Sequence, residues 1–399
     1  MSSTSKRKII EILIALLCVY CVSICQFKVS SSTALLMVHF DINNYEVGLL
    51  TSATSIAGLI LAIPVGALIA KFGFKLIGII ALSACAIGSC LGFFTNTFEL
   101  LLLSRILEGI AVGSMFTVVP SLIAIVSSGK TRTFFMSIFS CYVGVGQIIV
   151  FATTNLIVDQ EHPESYKNLW LLTSILLIIC IVLWLLFIRS PKSTSVSGDS
   201  RPKIRGFYKY ASLWIIALQM FFYISIYKGA TTYTMSYINS IGLDLIFSNS
   251  ISTIRAFVGI VTSIIIGLII ASFSEKKLYI TGIVVCIFNF VAIFSMWSYT
   301  TEKMAIVSLA IVGISDAAIH AVFSSLSPCL LKNLKLVGIT NGFITIGKSL
   351  AILAVPFISG STIDSFGFGL LTIIYFIFGV ASLILSIILY FANAKSSAT

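Results

Sequence analysis

The sequence contains twelve long apolar segments, and this feature limits what the chain can fold into. Each segment has roughly 20 mainly apolar residues, which is the length an α-helix needs to cross a bilayer. Hydrophobic residues make up 58% of the 399 residues and charged residues 10%, too apolar a balance for a water-soluble core. We therefore predict an all-α membrane protein whose partner is the lipid bilayer. The predicted spans start near Ile9, Tyr45, Phe74, Glu99, Thr133, Asn168, Lys209, Phe247, Leu278, Met304, Leu336 and Gly367.

Basic residues are distributed unevenly between the connections of these spans. If the N-terminus is cytoplasmic, 18 of the 25 basic residues lie in cytoplasmic segments, and the outer loops carry only Lys167 and Lys303. This bias follows the positive-inside rule, so we expect a multi-pass protein of the cell (inner or plasma) membrane with both termini cytoplasmic. The net charge of +11 thus indicates membrane orientation and argues against nucleic-acid binding.

A polar stretch near the middle of the sequence divides the chain into two halves. It is rich in serine and basic residues, which is typical of a flexible linker. We predict a six-helix bundle over residues 1–189, a cytoplasmic linker over 190–208 and a second six-helix bundle over 209–399. Lys28 and Lys228 each lie about 19 residues into the first span of their half, followed by small and hydroxyl residues. This similarity favours two pseudo-symmetric bundles, although coincidence would also explain it.

Seven charged residues lie deep within predicted spans, and most of them are cations. A charge at bilayer depth costs roughly 2.5 to 3.5 kcal/mol on insertion scales, so it persists only beside a cavity or a partner. Five cations against two carboxylates leave a positive surplus, which favours an anionic solute. The cations are Lys28, Arg105, Lys228, Arg255 and Lys348, and the carboxylates are Glu108 and Asp316.

Several of these residues are candidates for binding the solute. Lys28 and Lys228 have no carboxylate within one helical turn, which favours contact with a ligand over snorkelling to an interface. Arg255 and Lys348 are deep enough in their spans to reach a midplane site. Neutral side chains would complete the site, with packing as the alternative for each. These are Tyr227, Gln147 and Asn341.

Two pairs of charged or titratable residues share a helix face. Arg105 and Glu108 are three residues apart, so they can neutralise each other or take part in proton coupling. Asp316 and His320 are four apart and could carry a proton, or form a structural hydrogen bond between spans. Both alternatives remain open for each pair.

The sequence offers little for cofactor or metal chemistry. The nine cysteines lie in apolar stretches, and Cys18 and Cys21, although spaced as C-x-x-C, lie within the first predicted span with no histidine nearby. Residues 342–349 match the phosphate-binding pattern G-x-x-x-x-G-K-[ST], but they lie within a predicted apolar span and not in a loop after a strand. We therefore predict no cofactor, no metal and no enzymatic activity. An intramembrane enzyme using Asp316 and His320 is a weaker alternative, because no convincing nucleophile accompanies them.

Two motifs resemble those of the major facilitator superfamily. Residues 66–75, GALIAKFGFK, resemble the family's gating loop G-x-L-x-D-R-x-G-R-K, with Ala70 in place of the acidic residue. Arg105 to Gly109, together with Gly113, resemble the fourth-span R-x-x-x-G motif that is linked to proton coupling in the family. The resemblance implies two six-helix bundles, transport by alternating access and a chain that functions as a monomer.

Within that superfamily the sequence loosely resembles carriers of small anions. The basic residue late in the first span and Val119-Pro120-Ser121 are similar to the cyanate permease group. Basic residues in spans eight and eleven resemble oxalate and formate exchangers, and those in spans one and seven resemble organophosphate exchangers. The resemblance implies a small anionic solute moved by proton symport or anion exchange. A multidrug or metabolite exporter of the same fold is the main alternative, and a transport-like sensor is another.

Overall fold

The computed structural model of the protein describes residues 3–127, 129–189, 211–270, 272–326 and 337–394. All the regular structure in these residues is helical, with no β-strand. The chain divides into two compact units, Met1–Asp199 and Ser200–Thr399. The predicted linker at 190–208 lies outside the described residues.

In its described residues the first unit contains seven α-helices and one short 3₁₀-helix at Pro163–Tyr166. The α-helices are α1 (Ser3–Ser31), α2 (Thr33–Phe40), α3 (Asn44–Phe94), α4 (Phe98–Val126), α5 (Gly129–Ser140), α6 (Tyr142–Ile157) and α7 (Lys167–Phe187). Helix α3 begins with a capping box: the Asn43 side chain accepts from the Glu46 amide, and the Glu46 carboxylate accepts from the Asn43 amide. Helix α1 packs against α4, α6 and α7, which places its buried face among three helices.

The second unit contains five α-helices in its described residues. They are α8 (Ala211–Ser240), α9 (Leu245–Ile270), α10 (Glu275–Ser295), α11 (Glu302–Ser325) and α12 (Val337–Ala394). Helix α8 packs mainly against α12, and α9 packs mainly against α11. These two contacts position the polar side chains of the second unit.

Two glycines interrupt the two longest helices. Gly73 in α3 has φ 81° and Gly367 in α12 has φ 74°, both in the left-handed region that side chains disfavour. A Cβ on Gly367 would meet no atom within 4 Å, so its backbone conformation and not space requires glycine there. Each of these helices is therefore kinked at its glycine.

Small residues allow α3 and α4 to approach closely. A Cβ on Gly109 would collide with the backbone of Thr54, and one on Gly113 would lie 2.5 Å from the Cα of Gly58. Helix interfaces in membranes depend on such small residues, because the bilayer provides no hydrophobic drive for helices to associate. The spacing Gly109-x-x-x-Gly113 thus serves as the contact between the two helices.

Nine segments of the described residues are long and apolar enough to cross a membrane, and α6 is a shorter apolar helix. Their outward faces carry large exposed apolar residues, for example Leu156, Leu268 and Val307. Such faces are expected in lipid, where apolar exposure has no cost. The predicted all-α membrane fold is confirmed by these helices, while the count of twelve spans stays a prediction.

Candidate functional site

A cluster of charged side chains lies inside the first unit, where α1 meets α3, α4 and α7. Lys28 on α1 forms an ion pair with Glu108 on α4, and both side chains are fully buried. The Lys28 ammonium also donates to the hydroxyls of Ser89 at 3.1 Å and Thr173 at 3.2 Å. Ser89 in turn donates to Glu108 Oε1 at 2.7 Å. All three ammonium donors of Lys28 therefore have acceptors.

Arg105 contacts the opposite oxygen of the same carboxylate. Its Nη1 is paired with Glu108 Oε2, three residues further along α4, and also donates to the carbonyl of Cys25 at 2.9 Å. Its Nε donates to the carbonyl of Leu50 at 3.4 Å, while Nη2 is buried and has no partner among the described residues. Glu108 thus bridges two cations from two helices, and the cluster carries a formal charge of +1.

An aromatic ring covers the lysine of this cluster. The Lys28 ammonium lies 4.4 Å from the centroid of the buried Trp170 ring, within cation–π range. Gly92 on α3 makes room for the ring, since a Cβ there would collide with Trp170. Trp170 also packs edge-on against Tyr166, with ring centroids 5.3 Å apart. The sequence gives no local reason to place Trp170 beside Lys28, because the two residues are far apart along the chain.

The second unit holds a buried arginine without an acidic partner. Arg255 on α9 is 3% exposed, and its two terminal nitrogens both donate to Thr231 Oγ1, at 3.3 and 3.2 Å. Its guanidinium carbon lies 5.7 Å from the centroid of the Tyr227 ring. Among the described residues no carboxylate lies within ion-pairing distance of it, and its Nε has no hydrogen-bond partner. The guanidinium therefore retains unused donors.

Asp316 and His320 on α11 contact different neighbours. The Asp316 carboxylate accepts from the hydroxyl of Tyr223 on α8. His320 Nε2 lies 2.9 Å from the ammonium of Lys348 on α12. The charges of Arg255 and Lys348 both act on the Asp316 carboxyl. Asp316 and Lys348 are half-buried and His320 is exposed, so this group is more open than the Arg255 site.

The remaining predicted site residues are distributed over both units. Lys228 on α8 is 4% exposed and Gln147 on α6 is 3% exposed. Tyr227 is half-buried beside Arg255. Asn341 falls where side chains lie outside the described residues, although its backbone belongs to α12.

Sequence reasoning missed several side chains that complete these clusters. Ser89 and Thr173 bond to Lys28, and Thr231 bonds to Arg255. Hydroxyl residues are frequent in these spans, so none of the three differs from its neighbours in the sequence. Only the helix packing brings them to the cations.

Comparison with known proteins identifies the family. The model of the Major Facilitator Superfamily matches residues 16–334. A probable metabolite transport protein of Saccharomyces cerevisiae is 28% identical over 149 residues, which is 37% of this chain. The match covers 30% of the length of that relative.

Solved structures of transporters share the fold. The D-xylose-proton symporter has a TM-score of 0.77 at 15% identity, covering 95% of this chain and 96% of that one. A bacterial homolog of the human lysosomal transporter Spinster, inward-facing and occupied, has a TM-score of 0.74 at 16% identity, covering 99% and 98%. A nucleoside transporter has a TM-score of 0.72 at 14% identity, covering 96% and 98%. The family match and this shared fold lead to one conclusion: the chain belongs to the major facilitator superfamily and is a multi-pass membrane transporter, not an enzyme.

Proposed function

We propose that the chain is a secondary transporter that moves a small anion by alternating access, driven by proton symport or by exchange for a second anion. The observation that carries this proposal is the Arg255 guanidinium, which is 3% exposed and has no described carboxylate within ion-pairing distance. We further propose the cell membrane as its location, with both termini cytoplasmic. The chain functions as a monomer in this proposal.

The chemistry of Arg255 suits a carboxylate or a similar anion. A guanidinium presents five donors in a rigid planar fork that matches two anionic oxygens. Thr231 accepts from one side of this fork, and the unpartnered Nε remains on the other. A buried cation without a counter-charge is costly, and a bound anion removes that cost. Arg255 is thus the proposed principal ligand of the solute.

Lys348 adds a second positive charge in the same unit. Its contact, His320, is an imidazole and does not neutralise the ammonium in its uncharged form. The four charged residues predicted within spans of this unit are Lys228, Arg255, Lys348 and Asp316. The cations therefore outnumber the carboxylates by three to one in these spans, which favours an anionic solute over a cationic drug.

A neutral polar solute is the second candidate. Asn249 on α9 is fully buried, and neither of its amide atoms has a hydrogen-bond partner in the part of the chain that the structure describes. An amide offers one acceptor and two donors, which suits hydroxyl groups as well as anions. The related solved transporters of D-xylose and nucleosides are consistent with this alternative.

Ligand-induced thermal stabilisation of the purified protein tests the proposal. The panel contains cyanate, formate, oxalate, lactate and glycerol phosphate, the neutral solutes xylose and uridine, and a lipophilic cation. Arg255→Gln removes the charge, and Arg255→Lys keeps the charge but loses the fork. Lys276→Gln, an exposed position on α10, is the control for loss of a charge in the same unit.

We expect one class of anion to stabilise the protein and the Lys276→Gln variant. That stabilisation should disappear in Arg255→Gln and weaken in Arg255→Lys. Stabilisation by xylose, uridine or the cation that persists in Arg255→Gln would overturn the proposal. Uptake into proteoliposomes with either a pH gradient or a trapped counter-anion then separates symport from exchange.

A further inference from the structure

A pocket lies in the second unit where α10 ends and α11 begins. Its volume is about 380 Å³. Its lining includes Tyr299, Lys303, Met304, Val307 and Ile311. Among the described residues, none of the lining residues forms a hydrogen bond or ring contact with Arg255, although the charge of Arg255 acts on Tyr299.

One side of the pocket is apolar and open to the bilayer. Val307 is 60% exposed and Met304 is 50% exposed, and both lie on α11, which is long and apolar enough to span the membrane. The hydroxyl of Ser308 already donates to the carbonyl of Ser295 at 2.6 Å. This serine therefore adds no unused hydrogen-bond donor, and the surface suits a hydrocarbon chain.

The other end of the pocket is bordered by the cationic residue Lys303. Lys303 is exposed in the first turn of α11, and no described carboxylate lies within ion-pairing distance of its ammonium. Tyr299 is 1% exposed and its hydroxyl is buried, so this residue contributes packing to the pocket and no accessible donor.

We propose that this pocket binds an anionic phospholipid, with its phosphate at Lys303 and one acyl chain along Val307 and Ile311. Only an amphiphile matches a surface that is apolar on one side and cationic on the other, at the end of a spanning helix. Acyl chains are equally well solvated by the rest of the bilayer, so contact with the acyl chain adds little affinity. The charge of Lys303 therefore determines which lipid headgroup is preferred. A single basic residue near the surface favours an anionic lipid about fivefold. The proposal does not depend on the identity of the transported solute.

Native mass spectrometry of the full chain tests the proposal directly. The purified protein is incubated with equal amounts of phosphatidylglycerol and phosphatidylcholine that carry identical acyl chains. Lys303→Gln removes the cation, and Val307→Trp fills the pocket. Lys167→Gln is the control: this half-buried lysine begins α7 in the first unit and donates to Asn96 Oδ1 at 2.6 Å.

We expect about a fivefold preference for phosphatidylglycerol in the parent and in Lys167→Gln. The preference should fall to near parity in Lys303→Gln, and Val307→Trp should lose the most tightly retained lipid. Equal retention of both lipids by the parent would overturn the proposal, as would an unchanged preference in Lys303→Gln or retention of detergent in place of lipid. Lys303 is exposed, so Lys303→Gln is expected to fold. The lipid preference of this variant tests the proposal even if Val307→Trp does not fold.

Discussion

The ammonium of Lys28 and the carboxylate of Glu108 form a fully buried ion pair between residues 80 positions apart. Glu108 uses its other oxygen to hold Arg105. A single carboxylate therefore compensates two cations, one on its own helix and one on α1. The stability of this region should depend on Glu108 more than on either cation.

Glu108→Gln should destabilise the protein far more than Lys28→Met. The first change leaves two buried cations without a counter-charge, at a cost of about 3–5 kcal/mol. The second leaves Glu108 and Arg105 as a balanced pair and should cost clearly less. Chemical unfolding in detergent micelles measures both, and equal losses would contradict the bridging role of Glu108.

Gly109→Ala should destabilise the contact between α3 and α4. The new Cβ would meet the backbone of Thr54, which cannot rotate away as a side chain could. Overpacking of this kind costs about 1–3 kcal/mol. Gly369→Ala in α12 is the control, because a Cβ there meets no atom within 4 Å and alanine favours a helix by up to about 1 kcal/mol. The changes in unfolding free energy relative to the parent should therefore have opposite signs in the two variants. A Gly109→Ala variant as stable as the parent would refute the close approach of α3 and α4.

Gly313→Ala should disturb the Arg255 site. A Cβ at this position would lie 2.7 Å from the Arg255 carbonyl oxygen and 3.2 Å from its Cγ. The displaced guanidinium should bind the proposed anion about tenfold more weakly, which is about 1.4 kcal/mol. Gly259→Ala is the matched control, since its nearest neighbour is the Gly313 carbonyl at an ordinary 3.6 Å. Titration of thermal stabilisation against anion concentration measures both, and equal affinities would count against Arg255 as the ligand.

Asp159→Asn should lower the pKa of His162. Both residues lie in the connection between α6 and α7, and His162 Nδ1 is 3.0 Å from Asp159 Oδ2. The hydrogen bond to Asp159 raises the pKa of His162, whereas the backbone amide of Glu161, and then His162, lower the pKa of Asp159. The charged pair therefore persists between these two values: it is lost when pH rises through the raised pKa of His162, and when pH falls through the lowered pKa of Asp159.

Nuclear magnetic resonance titration of the His162 imidazole measures this shift, with His162→Gln identifying its signal. The unfolding temperature should not change, because both side chains are exposed and such pairs contribute little. An unchanged pKa in Asp159→Asn would show that the pair does not form in solution.

The apolar segments and their membrane fold could be predicted because the composition of each segment, taken alone, shows that it lies in lipid. The partners of the buried charges could not be predicted in the same way. Lys28 has no acid within a helical turn, but its counter-ion comes from α4. Asp316 and His320 share a helix face, yet their hydrogen bonds lead to Tyr223 and Lys348 on other helices. Periodicity describes one helix at a time, whereas ion pairs depend on which helices are neighbours.

The bridged cluster of Lys28, Arg105 and Glu108 also has an electrical consequence. Its formal charge of +1 is fully buried and held to α1 and α4 by ion pairs. Moving one elementary charge through a full potential of 100 mV involves about 2.3 kcal/mol. If a rearrangement moves α1 and α4 along the membrane normal so that the cluster crosses a quarter of this potential, the free energy of the rearrangement changes by about 0.6 kcal/mol. A transport cycle that includes such a shift should depend on membrane voltage even when the cycle is electroneutral overall.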